Sequence, residues 1–421
     1  KGESFKIKKT KIRGELSEGM ICAEDEIGLG VSHDGIIELK NDCKPGDLVR
    51  DYFKINKDII LDIALTPNRT DAFGHHGVCR DLYAFLKHRG ENVKLSFPEV
   101  VDYHNSNSHL NLILKIDDST LCPHYQGVCI ENVQVKSSPQ WLQSKLISIG
   151  LKPINNIVDI TNFVLHETGN PLHAFDYDKI KNSTLFVRTA KTNEQFETLD
   201  AKKINLSSED LVICDEDGPL CLAGVVGGLN SAVTHLTKNI FLESAFFNPQ
   251  SIRKTSKAHS ISSDSSYRFE RGADFSNCEY ALQRAALLIQ DICGGVIGKE
   301  VKCSSSQLCC KEVKFDYDYC ESVLGYKIDK KHLVNILKDL DFKILSQNDK
   351  SCILSVPAFR VDVTRQIDVV EEVLRIYGYD NLPSANFIKF QPNIQYEHSI
   401  NSFKIQISNL LVANGFCEIQ N

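Results

Sequence analysis

The run from Pro153 to Asp176, PINNIVDITNFVLHETGNPLHAFD, constrains this chain more than any other stretch. It sets Asn155, Asn156, Asn162, His166, Glu167, Asn170 and His173 among Ile, Val, Phe and Leu, not among the Lys and Glu of a solvated face. Amides and imidazoles in such company must find polar partners in a partly buried place. Either a hydrogen-bonded structural junction or a pocket would supply them. Gly169, Asn170 and Pro171 stand just before His173. A Gly/Pro corner lets backbone come close and fixes the direction of the residues after it, which favours the pocket.

Phe241-Leu242-Glu243-Ser244-Ala245-Phe246 places one carboxylate inside an apolar strand. Burying an unpartnered acid is costly, so Glu243 needs a basic neighbour or a ligand. Ala223 to Gly228 sets side-chain-free backbone either where something must come close or in a bulged, tightly packed strand. In Asp368 to Leu374, apolar residues recur at helical spacing while Asp368, Glu371 and Glu372 gather on one face. Repulsion among them calls for Arg365, Arg375, a basic patch on another subunit or an oxygen-seeking divalent cation, a solvated acidic face being the plain alternative. His75 and His76 are adjacent and so point to different sides of a helix, which together with Arg80 makes no metal site. Cys303, Cys309 and Cys310 likewise lack a second ligand pair.

At 421 residues the chain is long enough for several cores. A net charge of −7 disfavours coating nucleic acid nonspecifically, so RNA would bind through local patches, and Lys6, Lys8, Lys9, Lys11 and Arg13 read equally as a phosphate-contacting strip or a solvated strand edge. Fifteen cysteines at scattered spacings, with no CxxC pair, read as reduced, mostly buried thiols. No apolar run approaches the ~20 residues that span a bilayer and no signal-peptide pattern opens the chain, so a cytoplasmic location without a membrane partner is expected. The chain begins at Lys1 without Met and stops at Asn421 in mid-pattern, and is expected to be a piece of a longer one.

The patterning predicts an α+β, multidomain architecture. Residues 1–52 alternate like strands, and 53–118 hold a helix with Val78, Leu82, Phe85 and Leu86 on its apolar stripe, then a linker. A mixed α/β module is expected over 119–298, with a helix capped at Ser138-Pro139, hairpins at 198–203 and 211–221, and a helix capped by Ser276 and Glu279. A small winged-helix-like module is expected over 307–383, with strands near 312–315, 342–345 and 353–356 around a helix at 330–340. A further module opens at 384–421.

The central run, together with LAGVVGGLNS (Leu222 to Ser231), FLESAFFNP (Phe241 to Pro249), SYRFERGAD (Ser266 to Asp274) and Asp362 to Pro383, closely resembles the β chain of bacterial phenylalanyl-tRNA synthetases over nearly the whole sequence. Asn170 departs from the Gln of the family pattern. The resemblance implies a partial oligonucleotide-binding (OB-type) barrel in 1–52, an editing module in 119–298 and, at the end, the opening of a catalytic-like module. It also implies a partner α subunit in a heterotetramer with two copies of each, and tRNA(Phe) as substrate. Editing would use Asn162, His173 and Glu243, with Glu243 reading the phenol of a mischarged tyrosine and Asn162 and His173 placing ester and water. Ala223, Gly224 and Ala245 would leave room for the ring. By the same resemblance Asp362, Asp368, Glu371 and Glu372 would hold Mg²⁺ at the α-subunit contact, and ATP and phenylalanine would bind in the α subunit; separately, no phosphate-binding glycine motif follows a strand here. The competing expectation is a noncatalytic scaffold that positions tRNA and carries a vestigial pocket.

Overall fold

The computed structural model describes residues 7–29, 33–39, 43–53, 58–100, 108–305, 309–383 and 400–419. Lys6, residues 105–107 of the expected linker, residues 307–308 and residues 384–399 lie outside them. The architecture is mixed α and β, in two compact units, Lys1–Ile63 and Ala64–Asn421.

In the first unit, strands β1 (Thr10–Ile12) and β2 (Glu15–Ser17) form an antiparallel hairpin, and a short helix α1 (Val49–Tyr52) follows. Among its described residues no closed barrel forms, and the expected partial barrel is represented by this one hairpin. Arg13 and Gly14 turn it with φ of 53° and 94°, a left-handed pair suited to a two-residue loop.

The second unit opens with helix α2 (His75–His88). Next in the chain are β3 (Ile113–Ile116), β4 (His124–Glu131), α3 (Gln140–Ser148), α4 (Asn156–Thr168), β5 (Leu172–Asp176) and β6 (Thr184–Thr189). Then come β7 (Gln195–Glu197), β8 (Lys203–Asn205), β9 (Leu211–Cys214), β10 (Pro219–Leu222), β11 (Val226–Gly227) and β12 (Ile240–Phe246). Helices α5 (Pro249–His259), α6 (Asp264–Phe269) and α7 (Cys278–Cys293) lead to β13 (Val296–Ser304). Strands β3, β6, β9, β10 and β11 make one sheet, in the order β11-β10-β9-β6-β3, and the order β13-β4-β12-β5 makes a second. Period-two alternation sends the two faces of the second sheet to different cores. Tyr125, Cys129, Phe175, Phe241 and Ala245 join Val187, Ile213, Leu222 and Ala223 of the first sheet. Val128, Ile130, Ala174 and Leu242 pack under Ile157, Ile160 and Val164 of α4 and Ala281, Ala285 and Ile289 of α7.

Local chemistry explains the helix ends. The Asn155 side chain accepts from the amides of Ile157 and Val158 to start α4, and Gly169, at φ 84°, ends it. Asn248 caps α5 in the same way, with Pro249 in its first turn. Two expected caps are different. Ser138 donates to Asp159 at 2.5 Å instead of starting α3, because the buried Asp159 carboxylate takes the nearby donors, the Ile154 amide at 2.8 Å among them. Ser276 donates to Asp274 at 2.6 Å inside a 3-10 turn and Glu279 pairs with Lys302, so α7 begins at Cys278 without the expected box.

The remaining elements are β14 (Glu312–Asp316), α8 (Tyr317–Leu324), α9 (Lys330–Asp339), β15 (Lys343–Gln347), β16 (Ser351–Ser355), α10 (Gln366–Tyr377) and α11 (Ile400–Ala413). The three strands form an antiparallel sheet in the order β14-β16-β15, and Phe315, Leu333, Leu337, Leu354, Val369 and Val373 fill its core in a winged-helix-like outline. No helix among the described residues is long and apolar enough to cross a membrane.

A chain of ion pairs ties this module to the start of α2. Arg69 holds Asp71 and Asp81, Arg375 holds Asp81 at 2.8 Å and Glu372 at 2.6 Å, and the buried Arg360 holds Glu372 and Asp362. Removing one partner of a buried pair leaves the other uncompensated. Arg360→Met is expected to lower the unfolding free energy by about 3 kcal/mol, measured by urea denaturation.

Candidate functional site

Strand β12 lies between β4 and β5, and its register sets Glu243 opposite Gly127 on one side and His173 on the other. Residues directly opposed across antiparallel strands share a face, so the carboxyl and the imidazole project together toward the first sheet. On the same face Ala245 stands opposite Tyr125, and Phe241 stands between Cys129 and Phe175. Gly127 is obligatory here: a Cβ would come within 2.2 Å of the Phe241 ring.

Glu243 is 5% exposed and has no cationic partner among the described residues. Its Oε2 accepts a hydrogen bond from the Tyr125 phenol at 3.0 Å, and among the described residues Oε1 makes none. Burial pushes the carboxyl up to about 8, against the opposing pull of the Tyr125 bond. It is therefore a neutral acid at neutral pH, able to donate one hydrogen bond as well as accept. The same burial, and then Glu243 itself, lifts the Tyr125 phenol well above its ordinary range.

The His173 ring meets Phe175 edge-on, with centroids 4.5 Å apart. It also lies against Gly227 of β11, where a Cβ would stand 2.7 Å from Cε1 and 3.2 Å from Nε2. Leu199, whose amide donates to the Gly227 carbonyl at 3.0 Å, flanks the same point. Desolvation lowers the imidazole to about 4, so it is neutral at physiological pH and fit to accept a proton or orient water.

Ala223 and Ala245 are buried in the apolar cluster that contains Tyr125. Gly224, at φ 65°, admits Phe247, Ile252 and Phe269 to within 3.0–3.1 Å of where its Cβ would be, so the space it leaves is filled by those side chains. Asn162 is on α4, about 160° around the helix from the Ile157, Ile160 and Val164 side that packs on the opposite face of the sheet. It shares no hydrogen bond with His173 or Glu243, and the structure does not bring it to them. Sequence patterning does not single out Tyr125 or Gly227 as site residues, although both stand in stretches it marks as strand or close-packed backbone.

The acidic set is arranged differently. Asp362 is held bidentately by Arg360, at 3.0 Å to each oxygen, and accepts from Asn68. Burial would raise the Glu372 carboxyl, but Arg360 and Arg375 hold it down at about 2. Burial acts likewise on Asp368, where Arg365 and the backbone amides of Thr364 and Arg365 hold it at about 2. Glu371 is exposed. The carboxylate oxygens a hard cation would need are already taken by guanidinium groups, and among the described residues no three metal-ligating side chains converge. As folded here, the four do not fit Mg²⁺.

Two modules of known type account for this arrangement. A B3/4 domain model matches residues 121–294, and a tRNA synthetase B5 domain model matches residues 313–379, which places the chain in the class of aminoacyl-tRNA synthetase components. It is 43% identical over 425 residues to the phenylalanine–tRNA ligase β subunit of Bacteroides fragilis, and 44% identical over 425 residues to that of Porphyromonas gingivalis. Each comparison covers 100% of this chain and 51% of the relative. A solved N-terminal fragment of the phenylalanyl-tRNA synthetase β subunit from Pyrococcus horikoshii is 17% identical, covering 74% of this chain and 85% of that one at a TM-score of 0.37. The chain belongs to the phenylalanine–tRNA ligase β-subunit family and spans about half the length of the curated relatives it matches.

Two measurements check the electrostatics. Because the folded pKa of Glu243 lies above the ordinary 4.5, the carboxyl is compatible with folding below about pH 4.5 and opposes it increasingly as pH rises to about 8. Glu243→Gln is therefore expected to raise the melting temperature most at pH 8–9, with the gain vanishing near pH 4. Millimolar Mg²⁺ is expected to leave the melting temperature of the wild-type chain unchanged, and a saturable rise would show that the acids of α10 bind the ion.

Proposed function

We propose that this chain supplies the proofreading part of a phenylalanine–tRNA ligase, the complete enzyme attaching phenylalanine to tRNA(Phe) with ATP. An apolar pocket rejects an added hydroxyl only by ~10²-fold, so a ligase selecting phenylalanine against tyrosine needs a second, hydrolytic site that prefers the hydroxyl. The observation that carries the reading is Glu243: a buried carboxyl that, among the described residues, has no cation and keeps one oxygen free of hydrogen bonds, on a face shared with an imidazole.

In this reading Glu243 meets the phenol of a tyrosyl group esterified to tRNA(Phe). A phenylalanyl group leaves that oxygen unmatched in a desolvated place, which is a penalty. The neutral His173 accepts a proton from the attacking water or aligns it. Ala223 and Ala245 flank the ring, and the nearby Gly224 lets Phe247, Ile252 and Phe269 close over the site. Asn162 acts from the outer side of α4, through the tRNA end and not beside Glu243. An α subunit, in a heterotetramer with two of each chain, holds the ATP, its Mg²⁺ and phenylalanine. The whole operates in the cytoplasm.

The complete enzyme carrying this chain is expected to hydrolyse tyrosyl-tRNA(Phe) in preference to phenylalanyl-tRNA(Phe). Glu243→Ala is expected to slow the tyrosyl reaction by roughly 10- to 100-fold, as befits loss of a buried hydrogen-bonding partner. On the acid side the wild-type rate is expected to hold down to about pH 4–5, where His173 begins to protonate. Equal wild-type rates on the two esters would overturn the reading in favour of a scaffold with a vestigial pocket.

A further inference from the structure

The partner of Glu243 comes from 118 positions away in sequence. Tyr125 is fully buried on β4, and its ring belongs to the apolar cluster between the two sheets, so a phenylalanine would fill the same volume. A buried phenol paired with a buried acid contributes little net stability over an apolar pair of the same shape, because both groups lose water. Packing therefore does not explain why this position carries a hydroxyl.

Geometry does. The phenol donates to Oε2 at 3.0 Å, which makes Oε2 the acceptor oxygen of the neutral acid and leaves its proton on Oε1. The carboxyl is then held in one orientation, with a single hydrogen-bonding atom left for anything that enters. Among the described residues the titratable groups that face it are Tyr125 from β4, Cys122 from the segment before β4, Cys221 from β10 and His173 from β5. Burial holds both thiols well above their ordinary range and the imidazole at about 4, so none of these groups brings a competing charge to the acid at neutral pH.

We propose that Tyr125 is a positioning residue for proofreading: by occupying Oε2 it presents Oε1 of Glu243, as a donor, to the hydroxyl oxygen of a bound tyrosyl group. The proposal rests on the editing role given to Glu243 above. A hydrogen bond fixed before the ligand arrives removes the cost of orienting the carboxyl at binding. An aromatic ring without a hydroxyl offers the donor nothing.

The test uses the complete enzyme with Tyr125→Phe and with Tyr125→fluorotyrosine, hydrolysing tyrosyl-tRNA(Phe) and phenylalanyl-tRNA(Phe) across pH. Tyr125→Phe is expected to lower the tyrosyl-to-phenylalanyl rate ratio about fivefold to tenfold, the size of one such hydrogen bond. It is also expected to move the alkaline limit of the tyrosyl reaction upward, because the lost bond had been holding the Glu243 carboxyl down. Fluorotyrosine, a stronger donor of nearly the same shape, is expected to keep the ratio and move that limit downward. A purely structural role would slow both esters equally with the limit unmoved, and that result overturns the proposal. Should Tyr125→Phe fail to fold, an unmoved limit in the fluorotyrosine enzyme overturns it alone. If the wild type shows no preference between the esters, the editing reading itself fails. If it shows one that Glu243→Ala removes and Tyr125→Phe leaves intact, only the role of Tyr125 is lost.

Discussion

The desolvation of one carboxyl between two sheets sets the protonation state on which the candidate site is built. An isolated acid in an apolar interior either finds a cation or gives up its charge, and around Glu243 there is no cation to find among the described residues. The strand register decides this. Gly127 on one side and His173 on the other are the cross-strand neighbours of Glu243, and neither offers a positive charge at neutral pH. The sheet thereby turns an ordinary glutamate into a hydrogen-bond donor, a role carboxylates in water do not fill.

The acids of the winged-helix-like module show the opposite outcome from the same residue type. Glu372 is about as buried as Glu243, yet two guanidinium groups keep it ionised. Its charge serves a network running from Arg69 through Asp81 and Arg375 to Arg360, which joins the first helix of the unit to the module. One acid is neutral and holds a hydrogen bond from a phenol; the other is charged and committed to structure. Burial alone does not distinguish them, and the partner does.

Much of the architecture is legible in the residues because its signals are local. Glu243 inside an apolar strand, Asn248-Pro249 at a helix start, the stripe Leu333, Ile336 and Leu337, and the turn at Asp217-Gly218 each depend on neighbours a few positions away. Helix α8 is harder to read because Tyr317 to Leu324 lacks a clean period, although Asp316, whose side chain accepts from the amides of Asp318 and Tyr319, is a capping signal at its start. The expected box at Ser276 and Glu279 gives way to Asp274, two positions back, and to Lys302, 23 positions on. The site is half legible. His173 and Glu243 are brought face to face by β5 and β12, a pairing across 70 residues that no spacing displays. Tyr125 reads in sequence only as part of a strand, and its bond to Oε2 of Glu243 is visible only in the fold. Asn162 illustrates the reverse: the phase of Ile157, Ile160 and Val164 already puts it on another side of the helix, against the place that family likeness gives it.

In the proofreading reading, what the site rejects matters more than what it attracts. A hydroxyl that meets Oε1 replaces a hydrogen bond it had with water, so the net gain from a correct fit is small. A ring without the hydroxyl expels the same water and returns nothing, and in a place this desolvated the full loss falls on binding. Selectivity of that kind depends on the acid being unable to turn toward another partner. Glu243 is held on a central strand, its near oxygen is engaged by a residue of the neighbouring strand, and its face is closed by a second sheet. In that reading, placing the site on strands and not on loops would let one unmatched oxygen act as a penalty, because a mobile carboxyl would relax away from it.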